Sequence, residues 1–379
     1  MKSIGLYIHI PYCLHKCGYC DFNSHAVDPA EMERFVPALL SEIDHGATRI
    51  GEEREVATVF IGGGTPTTLP PQALETLLSH LRQRFRLAGD AEITLETNPA
   101  TLAPGLFERL REAGVNRLSV GIQSFDAGEL KLLERVHSVA EAHETVKAAQ
   151  AAGFYNLSMD LMFALPGQTA RRFRKHLETA LALRPEHLST YNLTIEKNTA
   201  FYNMHRRGQL AMAAEEEQLA QYQETLGVMA GAGYEHYEIS NFCRPGRECR
   251  HNLIYWNNGE HLGLGPGASS YLGGVRSRNC KLPARYIREV NATGRAIEFE
   301  ETLKPREAMG ETLMLGLRLL KGIAIDAFEA RFKTSFREVY GKTLDGLLDQ
   351  NLIQLDDNRI ALSPKGLFLA DSVILEFIT

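Results

Sequence analysis

Three cysteines lie within eight positions near the start of the chain, at Cys13, Cys17 and Cys20. Thiolates are the usual protein ligands of iron–sulfur clusters, and three of them from one short loop leave the fourth iron of a cubane without a protein ligand. Such an open iron can bind an external chelating molecule. Structural zinc is the alternative, because His15 or His25 could complete a set of four ligands.

A run of glycines, Gly62–Gly64, is followed by Thr65. Glycines at the end of a strand allow a ligand to contact the backbone, since no Cβ atom stands in the way. The run lacks the following Gly-Lys-Ser or Gly-Lys-Thr of a phosphate loop. Taken alone, these residues would indicate no more than a tight turn.

Both motifs fall at the ends of short apolar runs, which alternate with helical patterns over residues 1–240. The runs are rich in β-branched and aromatic residues and are bounded by Gly, Pro or Asn, as is typical of strands. The predicted strands are Gly5–Ile10, Val56–Ile61, Glu92–Glu96, Arg117–Gly121, Asn156–Met162 and His187–Leu193. Helices are predicted at Pro71–Phe85, Pro104–Ala113, Ala140–Ala152 and Glu215–Ala232.

Strands that alternate with helices form parallel sheets with right-handed crossovers. A doubly wound sheet and a partial barrel both fit this pattern. The motifs follow or lie near the C-terminal ends of at least five strands, which favours a barrel with one mouth. We therefore predict an α/β fold in which residues 1–240 form a partial (βα)6 barrel.

The rest of the chain is predicted to form an irregular connection over residues 241–300 and a separate domain over residues 301–379. Helices are expected at Glu307–Leu320, Ile325–Arg331 and Gly341–Gln350, followed by short strands at Leu352–Leu355 and Arg359–Leu362 around a polar turn. Three helices and a β-hairpin are typical of a winged-helix-like domain. Because no run of Lys or Arg accompanies it, we favour docking or closing over the barrel mouth above DNA binding.

The composition is that of an ordinary globular protein of 379 residues, 44% of them hydrophobic. The net charge of −6 disfavours a nucleic-acid partner. No segment has the length of a transmembrane helix, and the apolar start of the chain is too short for a signal peptide. Clustered cysteines do not indicate a disulfide framework. We expect a cytoplasmic protein with reduced thiols.

The cysteine spacing, together with the glycine motif, resembles the radical S-adenosylmethionine superfamily. Further stretches resemble the oxygen-independent coproporphyrinogen III oxidase family and its heme-chaperone relatives over nearly the whole chain. The resemblance implies a [4Fe-4S] cluster on the three cysteines, with S-adenosylmethionine on its open iron. It also implies S-adenosylmethionine contacts at Tyr7, Gly63, Gly64, Thr65, Glu96, Gln123, Arg135 and Asp160. Tyr19 is a weaker candidate.

Two departures from the oxidases resemble the heme chaperone HemW branch. Phe22 occupies the position at which the oxidases have a fourth cysteine, and the first cysteine is already residue 13. Residues 250–256, Arg-His-Asn-Leu-Ile-Tyr-Trp, also match the heme motif of that branch. The match implies that His251 is the heme ligand, since a neutral imidazole suits heme iron and neighbouring aromatic rings can pack on a porphyrin. The alternative is a surface loop, because residues 257–259 read as a tight turn. For Cys249 the alternatives are a second ligand, a covalent attachment point or, as we favour, a plain thiol.

Two functions follow from the resemblance. In the first, the protein is a heme chaperone that binds heme and passes it to an acceptor protein. In the second, it is a radical enzyme that decarboxylates coproporphyrinogen III to protoporphyrinogen IX without oxygen. We favour the chaperone, because the sequence shows no dense Arg/Lys cluster to hold the substrate carboxylates. The implied partners are a heme acceptor and an electron donor, a reductase or a flavodoxin-type protein.

Overall fold

The computed structural model of the chain describes residues 3–356 and 358–378. Parallel strands that alternate with helices form the centre of one mixed sheet. These strands are β1 (Ile4–Ile10), β2 (Glu55–Gly63), β3 (Arg86–Thr97), β4 (Arg117–Gln123), β5 (Leu157–Phe163) and β6 (His187–Asn192). All of them match strands predicted from the sequence.

The two faces of these strands differ in character because side chains alternate along a strand. One face carries Leu6 and Ile8, which are fully buried in the main hydrophobic core. The other face carries polar residues in register across the strands. Thr58 on β2 lies beside Glu92 on β3, and Ser119 on β4 lies beside Ser158 on β5. The sheet therefore packs its apolar face on helices and encloses a polar interior.

The helices of this region cover the apolar face, and several begin at a side-chain cap. Asp28 caps the first helix, and Ser138 forms a capping box with Glu141. The helices are α1 (Pro29–Ile50), α2 (Pro71–Arg84), α3 (Leu106–Glu112), α4 (Ala127–Leu132), α5 (Val139–Ala151), α6 (Ala170–Ala182), α7 (Ala200–Arg206) and α8 (Glu215–Gly231).

The region 241–300 differs from the expected irregular connection, because it adds regular elements to the same sheet. Strand β9 (His261–Leu264) pairs parallel with β1, and antiparallel strands continue outward from it. The strands on either side of the parallel centre are β7 (Glu235–Glu238), just before this region, and, within it, β8 (Asn241–Cys243), β9, β10 (Ser269–Leu272), β11 (Val275–Asn279) and β12 (Ile297–Thr302). The order across the sheet is β12-β11-β10-β9-β1-β2-β3-β4-β5-β6-β8-β7. These strands are short and are separated by Gly-rich turns, which obscured their period in the sequence. The predicted domain boundaries remain predictions.

Two further helices belong to this region, α9 (Arg250–Trp256) and α10 (Pro283–Thr293). Helix α9 covers the base of the barrel, where the strands begin. Its His251 and Ile254 contact the position of Gly5 on β1, and Glu92 at the start of the inner part of β3 accepts hydrogen bonds from its first turn.

The C-terminal part is a helical domain with its own hydrophobic core, as predicted. Its helices are α11 (Pro305–Gly316), α12 (Ile325–Phe332), α13 (Phe336–Asp349), α14 (Pro364–Leu367) and α15 (Ala370–Ile378). Its small antiparallel sheet consists of β13 (Ile323–Ala324), β14 (Ile353–Asp356) and β15 (Arg359–Leu362). Asp357 in the predicted polar turn lies outside the described residues. Among those residues, no helix is long and apolar enough to cross a membrane.

Candidate functional site

The cysteine loop leaves β1 at the mouth of the barrel and is closed by a two-residue parallel ladder. In this ladder Tyr12 pairs with His25 and Cys13 pairs with Ala26. The backbone N–H of Cys20 donates to the carbonyl of Cys17 at 3.1 Å, which tightens the loop. All three cysteines are half-buried, so their sulfurs are covered on one side by protein and accessible on the other.

The glycine motif at the end of β2 lies directly against this loop. The N–H of Gly64 donates to Ile10 at 2.8 Å, and the N–H of Thr65 donates to Tyr12 at 2.7 Å. A Cβ atom on Gly64 would lie 2.6 Å from the carbonyl oxygen of Tyr12, so this position accepts only glycine without displacing the loop. The sulfur of Cys13 is 3.5 Å from the hydroxyl of Thr65. The two motifs are therefore one structure.

The cysteine loop and the barrel strands enclose a cavity of about 120 Å³ at the mouth. Its walls come from the cysteine loop, from the residues after α4 and from the C-terminal ends of β2, β3, β4 and β5, which requires the sheet to curve around it. The predicted site residues in these walls are Cys13, Cys17, Tyr19, Cys20, Gly63, Gly64, Glu96, Gln123, Arg135 and Asp160.

The carboxyl groups of Glu96 and Asp160 both lie in this cavity, and the charge of Asp160 affects the pKa of Glu96. Burial, together with the charge of Asp160, raises the pKa of Glu96 from 4.5 to about 7. Burial also raises the pKa of Asp160, although hydroxyls of Ser119 and Ser158 donate to it. Glu96 accepts a hydrogen bond from the N–H of Gly63 at 3.0 Å. These carboxyls retain acceptor capacity for a ligand.

Arg135 joins the far wall of the cavity to the cysteine loop. One guanidinium nitrogen donates to the carbonyl of Gly121 at 2.7 Å and another lies 3.9 Å from the sulfur of Cys17. Gln123 stands at a register shift of β4 with φ of +68°, which turns the strand end at the cavity wall.

Asn98 is a wall residue that the sequence reasoning missed. Its amide donates to the hydroxyl of Thr65 at 2.5 Å and accepts from Arg135, so it links the glycine motif to the guanidinium. The signal was available, because Asn98 lies two positions after Glu96 and side chains repeat every two residues at the end of a strand.

Tyr7 lies below the cavity rather than in its wall. Its hydroxyl is 2.9 Å from Nδ1 of His9, and its ring lies 6.2 Å from that of Phe60 and 6.5 Å from that of His251. Burial raises its pKa well above the ordinary value. In this structure Tyr7 is part of an aromatic layer between the mouth and the base of the barrel.

The structure places His251, whose role as heme ligand remains a prediction, at the closed base of the barrel. The residue is only 1% exposed and lies inside the base of the barrel on helix α9, not in a surface loop. Its Nδ1 is 2.7 Å from the hydroxyl of Thr58 and its Nε2 is 2.8 Å from the hydroxyl of Tyr255. Both ring nitrogens are thus engaged, and a metal would have to displace one of these partners.

Cys249, directly before α9, is buried, and its sulfur lies 3.8 Å from the carboxylate of Glu92. Burial raises the pKa of its thiol to about 12. A protonated, enclosed thiol fits the plain-thiol alternative. Beside it, Arg117 is also buried; burial disfavours its charge, and the nearby carboxylate of Glu92 favours it and raises the pKa of Arg117.

The mouth fits the cluster and the nucleoside in the chemistry of its donors. Three thiols share one cavity with glycine backbone, and burial raises the pKa values of Cys17 and Cys20, so both stay protonated until a metal displaces the protons. Among the described residues no three His, Cys, Asp or Glu side chains converge on one metal ion. The absence of a single-ion site is compatible with a cubane cluster, because each cysteine thiolate binds a different iron atom of the cluster.

Comparisons with known proteins agree with this geometry. The profile of the Radical SAM superfamily matches residues 7–180, and that of the HemN C-terminal domain matches residues 303–369. The chain resembles the solved structure of coproporphyrinogen III oxidase (HemN) from Escherichia coli, described as a radical SAM enzyme. The TM-score is 0.87 and the identity is 25%, over 100% of this chain and 90% of that one.

Relatives of similar length are named heme chaperone HemW. The chain is 36% identical over 377 residues to HemW from Lactococcus lactis, covering 100% of this chain and 98% of that protein. It is 35% identical over 387 residues to HemW from Bacillus subtilis, covering 100% and 99%. The sequence similarity to these proteins covers the cysteine loop, the barrel and the C-terminal helical domain. The chain therefore belongs to the heme chaperone HemW family of the radical SAM superfamily.

Proposed function

We propose that this protein binds heme and passes it to an acceptor protein, and that it carries a [4Fe-4S] cluster and S-adenosylmethionine at the barrel mouth. The full-length similarity to HemW proteins carries the proposal, since it covers 100% of this chain and 98% of the relative from Lactococcus lactis. Both domains are thus shared with proteins named as heme chaperones.

The cluster is assigned to Cys13, Cys17 and Cys20, whose side chains share the mouth cavity. When bound, a reduced cluster supplies an electron to the sulfonium of S-adenosylmethionine. The chain's own contribution is binding and orientation. Gly63 and Gly64 offer backbone without a Cβ atom, and Thr65 fixes that backbone to the cysteine loop.

The remaining predicted contacts form a polar ring around the space in front of the cysteines. Glu96 and Asp160 supply carboxyl acceptors, and Gln123 and Arg135 supply donors. A sulfonium nucleoside carries a positive sulfur, an amine and ribose hydroxyls, all of which suit carboxyl acceptors. Tyr7 is the last predicted contact of this set, and its hydroxyl is 2.9 Å from Nδ1 of His9.

The first experiment measures heme delivery by the full chain. Purified protein loaded with ferric heme is mixed with a heme-free acceptor enzyme, and acceptor activity is followed. We expect activity to appear only with the loaded protein. A control with the same amount of free heme separates delivery from diffusion. Heme binding without any transfer would contradict the chaperone function.

A second experiment tests the alternative function, decarboxylation of coproporphyrinogen III, because the fold is similar to that of HemN. Anaerobic incubation with coproporphyrinogen III, S-adenosylmethionine and reductant is expected to give no protoporphyrinogen IX. The side chain of Phe22, where the oxidases have a cysteine, is 64% exposed beside the cysteine loop. Stoichiometric product would make the protein an oxidase instead.

Two further features of the proposal concern partners and location. An electron donor, a reductase or a flavodoxin-type protein, would approach the cluster from the outside of the cysteine loop, where Leu14 and Phe22 are exposed and Lys16 adds positive charge. A pull-down with the reduced donor, carried out with wild type and with a Phe22→Asp variant, tests this docking position. The variant should retain its cluster but no longer bind the donor.

The proposed location is the cytoplasm, where thiols stay reduced.

A further inference from the structure

The tail of the cysteine loop contacts a part of the chain that is distant in the sequence. The side-chain amide of Asn23 donates to the carbonyl oxygens of Pro266 and Lys281, both at 2.9 Å. Pro266 lies between β9 and β10, and Lys281 follows β11. Because both acceptors are carbonyl oxygens, the amide presents its two N–H groups to them. Asn23 therefore attaches the cysteine loop to the antiparallel strands that extend the sheet.

The two segments that accept from this amide are themselves held in place. The N–H of Gly267 donates to the carbonyl of Cys280 at 3.0 Å, which joins one segment to the other. The buried carboxyl of Glu42 on α1 accepts from the N–H of Gly265 at 2.7 Å. The acceptors thus belong to a hydrogen-bonded framework that is anchored on a helix.

His9 attaches the backbone of the loop tail to β1. Its Nε2 is 2.8 Å from the carbonyl oxygen of Asn23. Since a carbonyl only accepts, Nε2 carries the proton, and Nδ1 accepts from the hydroxyl of Tyr7 at 2.9 Å. The ring of His9 is buried against Gly63, where a Cβ atom would lie 2.4 Å from it. One histidine thus contacts both the loop tail and the glycine motif.

The other side of the loop has a separate attachment. The N–H of Phe201 on α7 donates to the carbonyl of Gly18 at 2.9 Å, and the rings of Tyr19 and Phe201 are in edge contact at 6.1 Å. Cys20 lies in the sequence between this attachment and the one at Asn23. Contacts that need no metal therefore hold the loop on both sides of a cluster cysteine.

We propose that Asn23 and His9 are positioning residues for the cluster, which hold the cysteine loop in its metal-binding shape before iron arrives. The inference rests on the proposed function, because it takes the three cysteines to bind the cluster. Ordering a loop costs conformational entropy for every residue that is fixed. A loop that the protein has already ordered binds its ligand more tightly, because that cost does not oppose binding. The extension of the sheet then supports the cluster site through Asn23.

The test combines hydrogen exchange of the full-length apoprotein with anaerobic cluster assembly. In wild type the backbone N–H groups of His25 and Val27 donate to Pro11 and Cys13 at 2.7 and 3.1 Å, so a peptide covering residues 21–27 should be protected. Asn23→Ala should exchange faster in this peptide and should gain the brown absorbance more slowly. Its cluster should hold iron about tenfold less tightly in competition with a chelator.

A second variant changes the same contact from the side of the acceptors, in case Asn23→Ala folds poorly. A Cβ atom on Gly267 would lie 2.7 Å from the amide nitrogen of Asn23, so Gly267→Ala should also weaken iron retention. Gly274→Ala is the matched control. Its φ of +81° is similar to the +75° of Gly267, but among the described residues no atom lies within 4 Å of the added Cβ. It should assemble and retain the cluster as wild type does.

Two variants of His9 separate hydrogen bonding from packing. His9→Gln keeps an N–H donor at a reach similar to that of Nε2 and should retain most of the iron affinity. His9→Phe keeps a ring against Gly63 but has no N–H group, and it should lose that affinity. A role of His9 in packing alone predicts the reverse order and would overturn its assignment.

The outcomes separate this inference from the function. If Asn23→Ala and Gly267→Ala retain iron as wild type does, the inference is wrong and the cluster assignment stands. Faster exchange without any loss of iron affinity would overturn the inference as well, because loop order would then not matter to the metal. If wild-type protein assembles no cluster, the cluster assignment fails and the inference fails with it.

Discussion

At the base of the barrel polar side chains are closed in by helix α9, whereas at the mouth they open onto a cavity. Glu92 at the base accepts from the backbone of Arg250 and His251, and His251 is hydrogen-bonded through both nitrogens. At the mouth, Glu96 and Asp160 have raised pKa values and lie in front of the cysteines. The same strands thus supply a polar network that is closed by a helix at one end and one that opens onto a cavity at the other.

The largest expected effect is at the mouth. Cys17→Ala should remove the cluster, so that reconstituted protein falls from about four irons per chain to almost none. The physical reason is that two thiolates cannot hold a cubane in an otherwise open cavity. Iron and sulfide content and the brown absorbance measure it.

Cys243→Ala is the matched control, because Cys243 is a buried thiol on β8, away from the mouth cavity. It should retain full iron content. Cluster retention in Cys17→Ala would overturn the assignment.

The second effect is at the base. Glu92→Ala leaves the buried guanidinium of Arg117 without its neighbouring carboxylate and the first turn of α9 without its cap. Removing the acceptor of a buried backbone N–H costs about 1–3 kcal/mol for a donor that is left unsatisfied. Urea unfolding should therefore show a large drop in midpoint.

Glu108→Ala, at an exposed position of α3, serves as control and should leave the midpoint within experimental scatter. If both variants unfold alike, the contacts of Glu92 at the base contribute little to the stability of the fold.

The third effect sharpens the comparison through pH. Burial raises the pKa of Glu96 to about 7, so the folded state prefers the protonated acid. Its contribution to stability is present in full below its ordinary pKa of 4.5 and is lost as the pH rises through about 7. Glu96→Gln cannot ionise, so the ligand-free variant should gain thermal stability over wild type as the pH rises from 4.5 to 8.

The comparison is made by melting both proteins at a series of pH values. A constant difference between the two melting temperatures would show that Glu96 ionises in the folded protein as it does in water.

The smallest effect concerns Gln123, whose φ of +68° favours glycine. Gln123→Gly should stabilise the fold by about 1 kcal/mol and weaken S-adenosylmethionine binding, because a wall side chain is lost. Asn351→Gly relieves a similar φ of +55° in the C-terminal domain and should leave binding unchanged. Equal binding by the Gln123 variant would exclude that side chain from the contact.

Local patterns predicted the mouth well. The six parallel strands, the cysteine loop and the glycine turn depend on short stretches whose periodicity and spacing can be read directly. Helix α1 was missed despite its Asp28 cap, because Pro37 lies inside it and interrupts the expected pattern.

The base could not be predicted in the same way. The hydrogen bond from His251 to Thr58 joins residues 193 positions apart, and the bond to Glu92 spans 159 positions. The motif of residues 250–256 gave no sign of these partners, and the role of His251 as heme ligand stays a prediction.

The pairing of β1 with β9 has a consequence for synthesis. Strand β1 pairs with β2 on one side and with β9, residues 261–264, on the other. The second pairing can form only after residues 261–264 have been synthesised. A ribosome adding roughly 5–20 residues per second needs about 10–50 seconds to pass from one to the other. During that interval β1, which carries the cysteine loop, has one unpaired edge on the nascent chain. Iron delivered in that interval would reach an incomplete barrel, so we expect the cluster to be inserted after this strand has been translated.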